Sequence, residues 1–359
     1  MKKVIDNKYE KELFRYGVVP EKEINITTRI SICKDFTNRI YETFNNFPIE
    51  RTQLYMRVYS LKIHFAKIKG IRKVFYFYKN NTIYVEEAIF DKENYKQFLY
   101  TEIIHAIQNF GNVTLKKQRS GLVRFKDTKL YGIGLNEGTI QYIVSRMINN
   151  KIQKYSYGLF SIYSISESYR FLTNLIQQIV LLFGEERLFE SLIFSNLSFG
   201  RFFENRYEGE TNKLITNLDK LFTISTTHKR SNKEMIILYS KTYRIIISKY
   251  LHQMLSLITE VSEIKTIRVL LDKLNEIAPD GDTFFFEYRT QYEKELDKLQ
   301  KRIEEEAKNK ALVEAKPNAI TKMFKALNDA LVNIILEWKN RWKFQNLHLF
   351  FFVCIITIS

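Results

Sequence analysis

Two rhythms of hydrophobic residues alternate through the first half of the chain, and each predicts a different element. In residues 35–46, Phe36, Ile40, Tyr41 and Phe44 recur at helical spacing, and Pro48 closes the segment. The period then shortens. Leu61, Ile63 and Phe65 alternate with Lys62, His64 and Ala66, the pattern of a half-buried strand. Residues 74–78 and 82–85 are rich in β-branched and aromatic types and flank a Lys79-Asn80-Asn81 turn, which predicts a hairpin. Together these segments predict a small antiparallel sheet.

Helical period returns after Asp91, a residue type suited to an N-cap. Leu99, Ile103, Ala106, Ile107 and Phe110 form one apolar stripe, so a helix is predicted from near Asp91 to about Asn109, with Gly111 as its stop. Thr101, His105 and Gln108 form the neighbouring row, with Glu102 beside it. A polar, glycine-containing connection follows over residues 114–129. Then Gly132-Ile133-Gly134-Leu135-Asn136-Glu137-Gly138 opens a second helix whose core face is Ile140, Ile143, Val144 and Met147.

Residues 166–257 read as helical with breaks near Gly184, Gly200 and Thr211. Within them, residues 236–257 are apolar nearly all round, but Lys241, Arg244, Lys249 and His252 interrupt the run, which predicts a buried helix and not a membrane span. Further on, Leu296, Leu299, Ile303 and Ala307 recur at 3-4 spacing inside the charged residues 292–314, a short coiled-coil arm.

Composition narrows the class. Hydrophobic residues make up 45% of the 359 positions and aromatics 14%, with only 4 Pro and 12 Gly, which disfavours both disorder and a turn-rich all-β architecture. Cys33 and Cys354 are too few for a disulfide framework and point to a reducing compartment. The amino terminus carries Lys2 and Lys3 but continues into Lys8, Glu10, Lys11 and Glu12 instead of an apolar stretch, so a cytoplasmic location is expected. Net charge is +16, and residues 213–249 hold eight Lys or Arg against Asp219 and Glu234, an excess that attracts nucleic acid or anionic lipid. With no aromatic-basic recognition module beside it, solubility is the simpler reading, and a nucleic-acid partner is not favoured.

The residues with chemical character sit on the two central helices. Thr101-Glu102-Ile103-Ile104-His105 is half of a helical His-Glu-x-x-His motif, in which residues four apart share a face and reach one metal ion. Asn136-Glu137-Gly138 follows on the next helix, where a third ligand would arise. Residues 101–108 with residues 134–139 resemble the zinc-peptidase core of the gluzincin type. The likeness covers about fifty residues directly, and roughly 110 with the upstream hairpin.

That resemblance implies an α+β fold: a zincin-like core with a small antiparallel sheet and active-site helices, followed by a mostly helical C-terminal region. It divides the chain into a strand-containing part (1–90), a helical part carrying the motif (91–210), a helical region (211–335) and a hydrophobic tail (336–359). By the same likeness, His105 and Glu137 match zinc ligands, Glu102 matches the base that takes a proton from metal-bound water, and Asn136 and Gln141 match groups that orient the ligands.

Thr101 stands where the first histidine belongs. A threonine hydroxyl is a poor zinc ligand, so zinc is expected to bind weakly or not at all, and His64 is the one strand histidine within conceivable reach. The expected function is that of a degenerate gluzincin homologue, inactive or weakly active, holding a peptide in its cleft by edge-strand pairing. Two alternatives stay open: an active zinc peptidase with an unrecognised third ligand, and a basic helical protein that binds nucleic acid or anionic membrane. Finally, the apolar residues 347–358 follow Trp338, Lys339, Arg341, Trp342 and Lys343, an arrangement suited to a membrane interface though short for a span.

Overall fold

A computed structural model describes residues 9–70, 73–90, 92, 94–109, 119–126, 129–227 and 231–341, without the side chains of 119, 125, 126, 313–319 and 338–341. The chain enters through α1 (Glu10–Arg15), β1 (Val18–Glu23), α2 (Ile26–Thr43) and α3 (Arg51–Tyr59), then forms β2 (Lys62–Ile68), β3 (Val74–Phe77) and β4 (Thr82–Val85). These strands make one sheet in the order β1-β2-β4-β3. The β3–β4 hairpin is antiparallel, as its turn predicts, and β1 is antiparallel to β2, but β2 runs parallel to β4. The sheet is therefore mixed, where an antiparallel one was expected. Alternation identifies the buried face of a strand and not its neighbour; here β3 yields the place beside β2 and takes the edge.

One face of this sheet buries Val18, Ala66, Ile68, Phe77 and Tyr84 with Leu13 of α1. Alternate residues Ile63, Ile83 and Val85 are equally buried on the opposite face. Helix α4 (Tyr95–Asn109) packs against β3 and β4. It is described as far as Asn109, while Asp91 and Gly111, its expected start and stop, lie outside the described residues. Helix α2 starts earlier than the apolar stripe indicates, because Asn25 caps it: its Oδ1 accepts the Thr28 N–H at 2.8 Å.

The connection expected at residues 114–129 instead holds β5 (Arg119–Ser120), β6 (Val123–Lys126) and β7 (Lys129–Tyr131), a small antiparallel sheet. Every residue of β7 is exposed, so no buried face imposes the alternation by which a strand is read. Next come α5 (Ile133–Met147) and the β8 (Gln153–Tyr157) to β9 (Phe160–Ser164) hairpin, then α6 (Arg170–Phe183), α7 (Glu186–Phe194), α8 (Ser198–Arg206), α9 (Thr211–Thr226), α10 (Asn232–Leu255) and α11 (Val261–Ile277). Helix α12 (Phe284–Arg341) closes the description.

Gly184 does end a helix, at φ 81°, and Thr211 opens one. Gly200 is different. It lies inside α8, where a Cβ would fall 2.3 Å from Arg124 Nη2, so this glycine permits a close approach and is not a break. Helix α10 proves amphipathic, with Tyr239, Tyr243 and Ile246 buried and Ile237 exposed. Helix α12 is far longer than the arm expected at residues 292–314.

Contacts divide the chain into two units, residues 1–258 with 262–294, and residues 259–261 with 295–359. Mixed α and β structure with a helical C-terminal region is thus observed. Among the described residues no helix is long and apolar enough to cross a membrane. The apolar run at residues 347–358 lies outside them.

Candidate functional site

The two motif segments meet as an antiparallel seam between α4 and α5, in which ascending positions on one helix face descending positions on the other. Gln141 Nε2 donates to Thr101 Oγ1 at 3.4 Å, His105 Nε2 stands 3.6 Å from Glu137 Oε2, and Gln108 Nε2 donates to Asn136 Oδ1 at 3.1 Å. Helical geometry produces this seam: residues 101, 105 and 108 share one face of α4, and 137 and 141 share one face of α5.

The sequence therefore identifies residues that converge in space. His105 and Glu137 are brought together and Thr101 shares their row. Glu102 stays within electrostatic reach of His105 but also takes a partner on the sheet. Its Oε2 accepts the backbone N–H of Tyr76 at 2.9 Å, a bond that serves the outer edge of β3, the last strand of the sheet. His64 lies on β2, with β4 between it and β3, and its ring is 6.0 Å from that of Tyr84.

Electrostatics follow from this pairing. Burial disfavours the charged form of His105, but the carboxylates of Glu137 and then Glu102 outweigh it and raise the pKa to about 9. Thr101 is spoken for as well: its hydroxyl donates to the Gln97 carbonyl at 2.8 Å while accepting from Gln141. The polar seam is not fully satisfied, since Gln141 Oε1 is buried without a hydrogen-bond partner.

A zinc ion would need three protein ligands plus water. The seam offers one imidazole and one carboxylate, and the third position is a neutral hydroxyl engaged with backbone. Among the described residues no group of three or more His, Cys, Asp or Glu is placed to hold a metal ion. The residues present do not fit a catalytic zinc. A 350 Å³ cavity lies nearby, lined by Gly121, Leu122, Gly132, Leu135 and residues of α8 and α9, but Thr101, Glu102, His105 and Glu137 are not in its wall.

Asn136 holds the entrance of the seam. Beyond Gln108, its Oδ1 accepts the Leu122 N–H at 3.0 Å, and its amide donates to Glu137 Oε1 at 3.4 Å, which ties the turn between β5 and β6 to the motif. Gly121 lies so close that a Cβ there would fall 2.4 Å from Asn136 Oδ1.

Sequence reading misses Asp219. This α9 residue caps α5 from a distance, its Oδ2 accepting the Gly132 N–H at 2.9 Å and its Oδ1 the Gly134 N–H at 2.8 Å. The first turn of a helix presents unpaired N–H groups and the positive end of the dipole, so a carboxylate belongs there. Burial raises the Asp219 pKa, against the pull of the same N–H groups. The available signal is a negative one: α5 opens at Gly132, in the left-handed region at φ 85°, which has no side chain with which to cap its own helix.

No family model matches the chain, and no curated protein or solved structure is similar to it.

Proposed function

We propose that the chain is a gluzincin-type metallopeptidase homologue that does not hydrolyse peptide bonds, and whose motif residues serve as a structural seam. The observation that carries this reading is the partner each motif residue has taken: Thr101 with Gln141, His105 with Glu137, and Glu102 with the Tyr76 N–H. A peptidase base must accept a proton from metal-bound water, and a carboxylate committed to a backbone N–H and turned toward β3 is poorly placed for that. Cytoplasmic residence is part of the same proposal.

A binding role survives the loss of chemistry. Strand β3 is at the sheet edge, where an extended peptide adds through main-chain hydrogen bonds, and Glu102 occupies one of the groups such a peptide would use. Glu102 in this reading is a gate on the edge.

The test is metal content and activity of the purified full chain. Substoichiometric zinc and no chelator-sensitive cleavage of a mixed fluorogenic peptide pool are expected. One zinc per chain, with cleavage abolished by Glu102→Gln, would make the protein a working peptidase and overturn the proposal.

A further inference from the structure

The second half of α12 carries a surface of a different kind. Ile320, Phe324, Leu327, Leu331 and Ile334 are spaced 4, 3, 4 and 3 apart and so lie along one stripe of the helix, widened by Met323 and Ile335. All seven side chains are between 44% and 65% exposed. Lys322, Lys325, Asp329 and Asn333 occupy the opposite side, together with exposed Val332 and Leu336. A contiguous apolar surface of this size on a soluble face marks an interaction site.

We propose that residues 320–336 form an interfacial helix that lies on an anionic lipid surface with this stripe in the headgroup boundary. Three observations choose lipid over a second copy of the chain. First, a two-stranded coiled coil pairs charges at the positions flanking its seam; here those positions are Thr321, Met323, Asn328, Ala330, Ile335 and Glu337, mostly neutral, and the apolar arc is too broad for a narrow seam. Second, residues 308–343 hold eight Lys or Arg against Glu314, Asp329 and Glu337, so two copies repel each other while an anionic surface attracts both. Third, the sequence continues into the apolar residues 347–358, which extends the apolar character in the same direction.

The helix lies on the surface and does not cross it. Lys322, Lys325 and Asp329 interrupt the apolar positions, and no described helix meets the requirement for a span. Seventeen residues of helix cover about 25 Å of surface when lying flat. This places the lipid contact ahead of Trp338, upstream of the tail that the sequence alone singles out.

Flotation of the full chain on phosphatidylcholine vesicles, with and without phosphatidylserine, tests the proposal. The wild type is expected to float with the anionic vesicles and not with the neutral ones. Leu327→Glu with Leu331→Glu is expected to cut the bound fraction roughly tenfold. Both sites are exposed, so the fold is retained, and circular dichroism checks that. Phe351→Glu with Ile355→Glu, in the tail, is expected to leave most of the binding. Loss only in the tail pair would assign the contact to residues 347–358 and overturn the proposal, as would the absence of flotation by the wild type. A wild-type dimer in sedimentation that Leu327→Glu with Leu331→Glu dissolves, with no vesicle binding, would make the stripe a self-association surface instead.

Discussion

On its α4 side, helix α5 meets Thr101, His105 and Gln108 through side chains that reach across a gap; on its α9 side it meets backbone. There Gly134 comes so near α9 that a Cβ would fall 2.1 Å from the Leu218 carbonyl oxygen, and the adjacent Asp219 takes the N–H groups of the first turn. The first side contains the motif residues other than Glu102. The second contains a glycine and an aspartate that belong to no motif. A polar side-chain pair contributes about 1 kcal/mol net, whereas backbone packed at van der Waals limit has no freedom to yield. The conspicuous residues are therefore expected to matter less to folding than the inconspicuous ones.

Gly134→Ala is the strongest way to break that comparison. Alanine is favoured over glycine inside a helix by about 1 kcal/mol, so propensity alone predicts stabilisation. The Leu218 carbonyl opposes it, because the contact cannot be relieved by a side-chain rotation and overpacking of this kind costs about 3 kcal/mol. A net loss of about 2 kcal/mol or more is expected in urea denaturation. A gain would show that α9 can withdraw, and that the close approach is not what fixes α5.

Asp219→Ala comes next. Two charge-assisted hydrogen bonds to the first turn of α5 disappear, and loss of a helix cap of this strength is expected to cost about 2 kcal/mol. Asp219→Asn, which keeps one acceptor, should fall between alanine and wild type. Equal stability of all three proteins would mean that water caps the helix as well as the carboxylate does.

How legible these features are in the sequence differs between the two sides for a physical reason. Helical period sets 101, 105 and 108 on one face of α4 and 137 and 141 on one face of α5, and the expectation that these faces meet comes from the resemblance to a zinc-peptidase core, not from spacing. Glu102 escapes such a reading because its partner, the Tyr76 N–H, belongs to backbone at the edge of the sheet, and side-chain identity carries no record of it. Asp219 escapes it because the distance between it and Gly132 in sequence is closed by packing of α9 on α5, which no local pattern encodes. Strand β5 is only two residues long and β7 is exposed throughout, while the alternation of Val123 and Phe125 with Arg124 and Lys126 in β6 spans only four residues inside a polar connection. In α12 the stripe over residues 320–336 is present in the sequence, but the lysines and the aspartate between its members make it less conspicuous than the nearly unbroken apolar run at 347–358.

A smaller effect separates the seam from the clamp beside it. Asp35 on α2 receives Lys96 at 2.7 Å and Arg39 at 2.9 Å, together with the Tyr100 hydroxyl of α4. Burial pushes the Asp35 carboxyl up, but these hydrogen bonds, led by Lys96, win and hold its pKa below the usual 3.8. A carboxyl with a lowered folded pKa adds stability above its unfolded value and loses it as pH falls through the folded one. Wild type should accordingly exceed Asp35→Asn in urea midpoint at neutral pH and at pH 5, with the gap closing below pH 3.8. A gap independent of pH would assign the clamp to neutral packing.

Thr101→His sharpens the comparison from the motif side. Its expected effect on folding is under about 1 kcal/mol, because position 101 is itself only half-buried. Its effect on metal is large: with imidazoles at 101 and 105 one turn apart and Glu137 facing them, zinc binding measured by calorimetry should rise at least about a hundredfold. His105→Ala in the same background should abolish the gain. A folded Thr101→His protein with no added zinc affinity would remove the resemblance to a peptidase core.

The smallest expected effect is at Glu102, and it separates a structural carboxylate from a catalytic one. Glutamine retains an acceptor oxygen for the Tyr76 N–H, whereas alanine leaves that group on the sheet edge to water. Glu102→Gln should change stability by less than about 0.5 kcal/mol, and the Tyr76 amide should keep its protection against hydrogen exchange. Glu102→Ala should leave global stability nearly as high while the Tyr76 amide exchanges faster, because the bond to that amide lies at the sheet edge. That amide is also one a docking peptide strand would seek, so an extended peptide should bind Glu102→Ala at least as well as wild type. If Tyr76 exchange is the same in all three proteins, the carboxylate does not hold the strand edge, and Glu102 returns to the side of the molecule where chemistry, and not structure, explains its place.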